Sequence, residues 1–103
     1  MFVVGITACP TGIAHTYMAQ ESLEKELAKR GWEYKIETQG SIGIENELDQ
    51  DEIDRADMII LCVSIQIENS ERFEDKKVFH GNVDECISYP SKVVDDALAF
   101  YDK

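Results

Sequence analysis

Basic residues are scarce in this sequence, and it has neither a long apolar run nor a leader-like start. Ten lysine and arginine residues stand against twenty-one aspartate and glutamate residues, which gives a formal net charge of −11 at pH 7. Such a surplus of negative charge repels nucleic-acid backbones and anionic lipid surfaces, so neither is expected as a partner. The opening apolar run stops at Pro10 and has no basic segment before it. We therefore expect no signal peptide, no membrane insertion and a cytosolic location.

Cysteine is also sparse, with three residues, Cys9, Cys62 and Cys86, at wide spacings and no Cys-x-x-Cys pair. An odd number of cysteines in this arrangement predicts no disulfide framework, zinc site or thioredoxin-type couple. Cys62 lies in a continuous apolar run and is interpreted as a small buried side chain. At least one cysteine is expected to remain a thiol, and no metal site is expected.

The sequence does contain alternating strand and helix patterns within 103 residues, of which 44% are hydrophobic. This length suits one compact domain spanning residues 1–103. Continuous apolar runs predict buried strands, and one alternating segment, residues 32–37, predicts a half-exposed edge strand with Glu33, Lys35 and Glu37 on its exposed face. The predicted strands are residues 2–8, 32–37, 58–63 and 77–79. The predicted helices are residues 13–30, ended by Gly31, a short helix that a capping box at Asp49 and Glu52 opens toward Ala56, a capped turn around Asn82 and a last helix opened by Pro90. Residues 38–44, which contain two glycines, are predicted to form a polar loop.

The order of these elements predicts an α/β fold. We expect a three-layer sandwich in which an open, doubly wound sheet of four parallel strands, in the order 2-1-3-4, carries helices on both faces. Ligands of such sheets bind beyond the carboxyl ends of the strands. The first strand-to-helix loop is therefore the first place to look for a functional site.

That loop places Cys9 at the end of a buried strand and directly before a helix. The first N–H groups of a helix have no intrahelical partner, and the helix dipole adds positive potential there, so a thiolate or a phosphate is stabilised. Cysteine pKa values fall in such surroundings, which makes Cys9 the candidate nucleophile. The predicted phosphate-binding residues are Pro10, Thr11, Gly12, Ile13, Ala14, His15 and Thr16.

Cysteine loops that bind oxyanions also occur in phosphatases with a Cys-x5-Arg motif, where the arginine grips the phosphate. Here His15 occupies the position of that arginine. Without the guanidinium group or a placed general acid, the loop is equipped to hold and transfer a phosphoryl group rather than to hydrolyse it. Two alternatives stay open: a cysteine-dependent phosphatase or arsenate reductase, and a regulatory module that reports its phosphorylation state by charge.

Residues 8–16 read Ala-Cys-Pro-Thr-Gly-Ile-Ala-His-Thr and resemble the signature of the fructose-type enzyme IIB domains of the bacterial phosphoenolpyruvate-dependent sugar phosphotransferase system. The similarity continues through residues 37–41, 43–46 and 56–57 and through Arg72-Phe73, and so covers nearly the whole chain. The resemblance implies a sheet of four parallel strands flanked by helices. It also implies a phosphotransferase in which Cys9 accepts a phosphoryl group from a phosphohistidine on a IIA component.

In that family the phosphoryl group then passes to fructose or a related sugar held by the membrane-embedded IIC component. The resemblance thus implies IIA and IIC as partners and a cytoplasmic location at the membrane IIC component. No cofactor is expected, since the phosphohistidine bond supplies the energy and neither ATP nor metal is needed in this chain. Because two partners must reach Cys9 in turn, its side chain is expected to be exposed.

Polar residues after the second predicted strand, together with one arginine, could line the phosphate site or dock a partner. These residues are Thr38, Gln39, Gly40, Ser41 and Arg72. Ordinary turn chemistry is the alternative for the first four, and a solvated side chain is the alternative for Arg72.

The role of His15 has two interpretations, a cation that stabilises the thiolate and the phosphate, or a support for the first helical turn. Two positions depart from the family pattern. Ser64 replaces an aspartate, and Asp75 replaces the glycine that follows Arg-Phe. Both lie outside the cysteine loop and fit a fructose-like paralogue, so they bear on the sugar and the partner rather than on phosphoryl acceptance.

Overall fold

The computed structural model describes residues 1–9 and 14–102 of the chain. The strands are β1 (Phe2–Ala8), β2 (Glu33–Gly40), β3 (Gly43–Glu45), β4 (Met58–Val63) and β5 (Phe79–Gly81). The helices are α1 (Ala14–Lys29), α2 (Gln50–Arg55), α3 (Val83–Ser88) and α4 (Pro90–Tyr101), with a 3₁₀ turn at Ser70–Phe73. Within the described part of the chain, no helix combines the length and the apolar character needed to cross a membrane.

The sheet has five strands in the order β3-β2-β1-β4-β5, with β1 at its centre. Neighbouring pairs among β2, β1, β4 and β5 are parallel, whereas β3 runs antiparallel to β2. The prediction of an α/β fold is confirmed, but the prediction of a purely parallel sheet of four strands is wrong. The predicted loop at residues 38–44 is only partly correct, because residues at both of its ends, the two glycines included, belong to strands. In fact Gly40 pairs with Gly43, and the chain folds back along the outer edge of β2.

Strand β2 is longer and more buried than its alternating pattern predicted. Residues 36–39 are all buried, and Glu37, which was assigned to a wet face, has no exposed surface. Because β3 covers the outer edge of β2 and Arg72 supplies a counter-charge, a carboxylate can occupy this strand. The predicted strand at residues 77–79 is likewise shifted, since β5 begins at Phe79.

Two apolar layers lie on opposite faces of the sheet because successive strand residues point to opposite sides. On one face, α1, α3 and α4 pack over a layer that includes Val3, Leu23, Ile36, Ile60 and Val94. On the other face, α2 and the 3₁₀ turn pack over a layer that includes Val4, Ile6, Leu48, Ile53 and Phe73. The N-terminus of α1 and the connection after β4 therefore approach the carboxyl end of β1 from opposite faces.

Local capping signals fix several helix boundaries as predicted. Helix α2 begins with a complete capping box, in which Asp49 and Glu52 exchange side-chain to backbone hydrogen bonds. Gly31, just beyond α1, has φ +77°, the left-handed conformation that glycine adopts without steric cost. Pro90 occupies the first turn of α4, where its missing N–H breaks no hydrogen bond.

Cys62 and Cys86 form a disulfide, which corrects the expectation that no disulfide is present. Cys62 lies in β4 and Cys86 in α3, and both side chains are fully buried. They are 24 residues apart in sequence, but α3 packs against β4 and brings their Cα atoms to 6.8 Å. Sequence spacing contains no sign of this contact because the tertiary fold creates it.

Candidate functional site

Cys9 follows the last residue of β1, the central strand of the sheet, and is not part of the disulfide. Its sulfur lies 3.1 Å from the hydroxyl oxygen of Thr16, in the described first turn of α1. The side chain is 4% exposed, so the expectation of an exposed cysteine is wrong. The reason is that the sulfur turns inward against α1 rather than outward from the end of the strand.

Three threonines surround this position on the α1 face of the sheet. Besides its contact with Cys9, Thr16 accepts at its carbonyl oxygen a hydrogen bond of 3.0 Å from the hydroxyl of Thr7. Thr38 lies opposite Thr7 in the register of β1 and β2, and its hydroxyl is buried with no hydrogen-bond partner among the described residues. The sulfur therefore lies in a polar setting within the protein rather than in hydrocarbon.

Helix α1 opens against this polar cluster and directs the positive end of its dipole toward Cys9. Ala14 and His15 are exposed there, whereas Thr16 is buried. Four other predicted phosphate-binding residues, Pro10, Thr11, Gly12 and Ile13, lie outside the described residues. The assignment of the phosphate-binding set and the role of His15 thus stay predictions.

On the opposite face of the sheet, the end of β2 carries a buried ionic network centred on Glu37. Arg72 donates to both carboxylate oxygens, from Nη1 at 2.8 Å and from Nη2 at 3.1 Å. Gln39 donates from Nε2 at 2.7 Å, and the backbone N–H of Leu48 donates at 2.8 Å. Burial raises the pKa of Glu37, but the hydrogen bonds from Arg72, Gln39 and Leu48 outweigh it and hold this pKa below its ordinary value.

The same ion pair decides between the interpretations of Arg72. Its side chain is 10% exposed, so the alternative of a solvated arginine is wrong. Hydrogen bonding to Glu37 raises the pKa of Arg72, and the guanidinium group is engaged by that carboxylate rather than held ready for a phosphate. Arg72 is thus a structural cation at the edge of the candidate site.

The remaining predicted residues form the carboxyl end of β2 and the turn after it. Thr38 and Gln39 are buried, Gly40 is half-buried and Ser41 is exposed. Gln39 lies opposite Ala8, the residue before Cys9, so the end of β2 borders the cysteine loop. The structure joins Gln39 and Arg72 through Glu37 and places Thr38 on the other face, toward α1.

Sequence reasoning missed two members of these clusters, Thr7 and Glu37. Thr7 is the polar residue in the apolar run of β1, two positions before Cys9, and this spacing puts both side chains on one face of a strand. Glu37 carried no comparable signal, since an acidic residue in an alternating segment is usually solvated.

Comparison with known proteins shows the family of this chain. A family model described as PTS system, Lactose/Cellobiose specific IIB subunit, matches residues 4–96. The chain is 48% identical over 85 residues to the PTS system fructose-like EIIB component 2 of Escherichia coli strain K12, covering 82% of this chain and 80% of that protein. It is 46% identical over 97 residues to the PTS system fructose-specific EIIB'BC component of Rhodobacter capsulatus, covering 94% of this chain and 17% of that longer protein.

The fold comparison gives the same result. A crystal structure described as a predicted fructose specific IIB from Escherichia coli superposes with a TM-score of 0.91 at 36% identity, covering 99% of this chain and 90% of that one. Sequence and fold agree over most of the length of this chain. The chain belongs to the IIB subunit family of the PTS system.

Proposed function

We propose that this chain is a phosphoryl carrier for the uptake of fructose or a related sugar. In this proposal Cys9 takes the phosphoryl group from a phosphohistidine on a IIA component and gives it to a sugar bound by a membrane IIC component. The observation that carries the proposal is the position of the Cys9 sulfur at the carboxyl end of the central strand, in contact with Thr16 of α1. Family membership supports phosphoryl transfer in sugar uptake, and the names of the two relatives support a fructose-type sugar.

The chemistry consists of two displacements at phosphorus. In the first, the sulfur lone pair of the Cys9 thiolate forms the S–P bond while the P–N bond breaks. The electron pair of the P–N bond returns to the imidazole nitrogen. In the second, a sugar hydroxyl oxygen forms the new P–O bond and releases its proton to solvent, and the electron pair of the S–P bond returns to sulfur, which leaves as the thiolate. Both steps depend on positioning and on donors to the phosphoryl oxygens, because the transition state of phosphoryl transfer is loose.

The donors in this proposal come from both sides of the cysteine. Residues Thr11 to His15 supply backbone N–H groups before and at the start of α1 in this proposal, where the helix dipole favours an anion. Thr16 and Thr38 add hydroxyl groups, and the buried hydroxyl of Thr38 has no competing hydrogen bond among the described residues. His15, exposed in the first described turn of α1, is the candidate cation.

Partner docking is proposed at the same edge of the sheet. Three exposed apolar side chains project from segments near the carboxyl ends of β1, β2 and β4: Met18, 47% exposed, Ile42, 73% exposed, and Ile65, 39% exposed. Exposed apolar groups rimmed by polar residues are typical of interaction sites. Docking of IIC at this edge would place the chain at the membrane surface. The relative named EIIB'BC is consistent with a IIB–IIC partnership.

A phosphatase is disfavoured by the ion pair of Arg72. Hydrolysis by a cysteine phosphatase needs an arginine that grips the phosphate, and the guanidinium group of Arg72 is bound to Glu37 instead. Release of phosphate from an aryl phosphate by this chain, with many turnovers, would reverse this ranking.

The decisive experiment is a reconstituted relay from phosphoenolpyruvate through the general carriers and a cognate IIA, followed by intact-mass detection. The wild-type chain should gain one phosphoryl group, and Cys9→Ser should gain none. The matched control is the double variant Cys62→Ala/Cys86→Ala, which removes the other cysteines and should keep the adduct. Equal adducts on wild type and Cys9→Ser would show that the site is misassigned.

Two further measurements refine the proposal. Addition of membranes that contain the cognate IIC and a sugar should remove the adduct and form sugar phosphate, whereas a regulatory module would keep its adduct. His15→Ala should slow phosphoryl uptake if the imidazole stabilises the phosphoryl group, and unchanged kinetics would remove that role from His15.

A further inference from the structure

Residues 64–68, here named the strap, cross the carboxyl end of β1 from one neighbouring strand to the other. At its start, the N–H of Ser64 donates to the carbonyl oxygen of Ala8 at 3.0 Å, directly beyond β4. At its end, Glu68 is bound by the side chain of Gln39, which lies opposite Ala8 in β2. Since β1 lies between β2 and β4, the strap must span the strand end from which Cys9 emerges. Five residues suffice, because two strand spacings amount to about 10 Å.

The side chain of Gln39 binds the strap as a neighbouring strand would. Its Oε1 accepts from the N–H of Glu68 at 2.8 Å, and its Nε2 donates to the carbonyl oxygen of Glu68 at 3.1 Å. Glu37 fixes the orientation of the Gln39 amide. A carboxylate only accepts hydrogen bonds, so the atom of Gln39 that lies 2.7 Å from Glu37 Oε2 must be the donor Nε2 and not Oε1. Gln39 is 7% exposed, so water does not readily replace these bonds.

Arg72 holds the same end of the strap from the other side. Its Nη2 reaches the carbonyl oxygen of Glu68 at 3.4 Å, and its Nε donates to the carbonyl oxygen of Asn69 at 2.8 Å. The Glu37–Arg72 ion pair and the Gln39 amide therefore form one hydrogen-bonded network, and both Arg72 and Gln39 bind backbone groups at the end of the strap.

The side chains of the strap are divided between the apolar layer and solvent. Ile67 is half-buried and packs against the apolar layer on the α2 face, whereas Ser64, Ile65 and Gln66 are exposed. The strap thus presents a polar and apolar surface next to the end of β1. The sulfur of Cys9 turns toward α1 on one face of the sheet, and the strap crosses the end of β1 beside Ala8, the residue before Cys9.

We propose that Gln39 is a positioning residue that pins the strap across the end of β1 and thereby controls access to Cys9 and the geometry of its surroundings. The consequence for phosphoryl transfer rests on the function proposed above. The consequence for access to the thiol does not, and this difference allows the two proposals to be tested apart. Because Cys9 is 4% exposed, a reagent reaches its sulfur only when the surrounding structure opens.

The test compares Gln39→Met with a matched control, Gln20→Met. Methionine is close in length to glutamine but neither donates nor accepts a strong hydrogen bond. Gln20 also binds backbone of β2, from Nε2 to the carbonyl oxygen of Ile36 at 3.3 Å, but it lies on α1 and holds no part of the strap. Gln20→Met removes a side-chain bond to the same strand without touching the strap, whereas Gln39→Met releases the strap and is expected to cost more stability.

The first readout is the rate at which iodoacetamide alkylates Cys9 in the folded protein without reductant, located by peptide mass. Loss of the two hydrogen bonds to Glu68 is expected to raise the open population, and hence the alkylation rate, about tenfold in Gln39→Met. Gln20→Met should match wild type within about twofold. Equal alkylation rates in the two variants would overturn the strap proposal, whatever the phosphoryl-transfer result.

The second readout is phosphoryl uptake from a phosphorylated IIA component at varied donor concentration. Misplacement of the strap should lower the maximal rate in Gln39→Met and leave Gln20→Met at the wild-type rate. A maximal rate in Gln39→Met equal to that of the control would remove the positioning role. If wild type accepts no phosphoryl group but Gln39→Met is alkylated faster, the strap proposal holds and the proposed function fails.

A measurement on the wild-type chain keeps the proposal testable should Gln39→Met fail to fold. The backbone N–H of Glu68 donates to Gln39 Oε1, although Glu68 itself is an exposed residue. Its exchange with solvent deuterium should be at least about tenfold slower than in an unfolded peptide of the same sequence. Exchange at the peptide rate would overturn the pinning by Gln39.

Discussion

Replacement of Arg72 with methionine should leave Glu37 as a buried carboxylate without its counter-charge. The carboxylate is fully buried, and Arg72 supplies two of the four hydrogen bonds that it accepts from the described residues. In Arg72→Met only the bonds from Gln39 and the Leu48 N–H remain. Removal of one partner of a buried ion pair costs about 3–5 kcal/mol, because the other charge remains desolvated.

The loss extends beyond the ion pair, since the guanidinium group also satisfies backbone oxygens. Nη1 donates to the carbonyl oxygen of Leu48 at 2.7 Å, and Nε donates to that of Asn69 at 2.8 Å. Methionine satisfies neither oxygen. We therefore expect the loss of unfolding free energy to lie in the upper part of that range. Such a loss is a large share of the total stability of a domain of this size.

Urea unfolding at pH 7 measures the effect in a double-mutant cycle of wild type, Arg72→Met, Glu37→Gln and the double variant. For Arg72→Met the midpoint should fall by at least about 1 M, given slopes of about 1–3 kcal/mol per molar. The double variant should recover part of the loss, because a neutral amide at position 37 no longer needs a cation. Arg72→Met within about 1 kcal/mol of wild type, or strictly additive losses, would refute the buried pair.

The same pair sets a pH dependence whose sign follows from the lowered pKa of Glu37. A carboxyl group whose pKa is lower in the folded than in the unfolded state stabilises the fold above its unfolded pKa, near 4.5, and loses this contribution as the pH falls through its folded pKa. The stability gap between wild type and Glu37→Gln should therefore be full at pH 7 and shrink below about pH 4.5. A gap that is unchanged down to pH 3 would contradict this reasoning.

Four further substitutions or treatments test particular contacts by urea or thermal unfolding. Gly5→Ala should destabilise by about 1–3 kcal/mol, since a Cβ at this central position of β1 would lie 2.7 Å from a backbone oxygen of β4. Asp75→Gly should stabilise by up to about 1 kcal/mol, because Asp75 has φ +63°. Thr38→Val should leave stability unchanged or raise it, because its hydroxyl has no hydrogen-bond partner among the described residues, and a loss of about 1 kcal/mol or more would indicate such a bond. The Cys62–Cys86 disulfide predicts one reactive thiol per unfolded chain without reductant and three with it, and reduction should lower stability by about 3–4 kcal/mol for this 24-residue separation.

The elements that sequence reasoning located correctly are those specified by neighbouring residues. The apolar runs of β1 and β4 and the capping box at Asp49 and Glu52 each lie within a few residues, and the structure confirms their positions. Such patterns reflect local backbone preference and burial on both faces of a sheet. Asp75 is instructive as well, because the glycine expected there by family resemblance fits its positive φ.

The features that sequence reasoning missed depend on pairs far apart in the chain. Glu37 and Arg72 are 35 residues apart, and each alone resembles a solvated charge. The cysteines of the disulfide are 24 residues apart. Strand β3 was missed for a related reason, since three residues acquire strand character only through their pairing with β2. Contacts of this kind become visible only when the sheet order is known.

The ion pair also affects how much negative charge the carboxyl edge of the sheet can hold. Glu37 lies opposite Ile6, three residues before Cys9, which corresponds to about 10 Å along the strand. At that separation and an effective dielectric constant near 20, an unpaired carboxylate would repel a unit negative charge at the sulfur by about 1.5 kcal/mol. A thiolate, and still more a phosphoryl group, would meet this repulsion if Arg72 did not neutralise Glu37. The arginine that sequence analysis considered for the phosphate thus favours an anion at Cys9 indirectly, because it cancels the nearest buried charge on the adjacent strand.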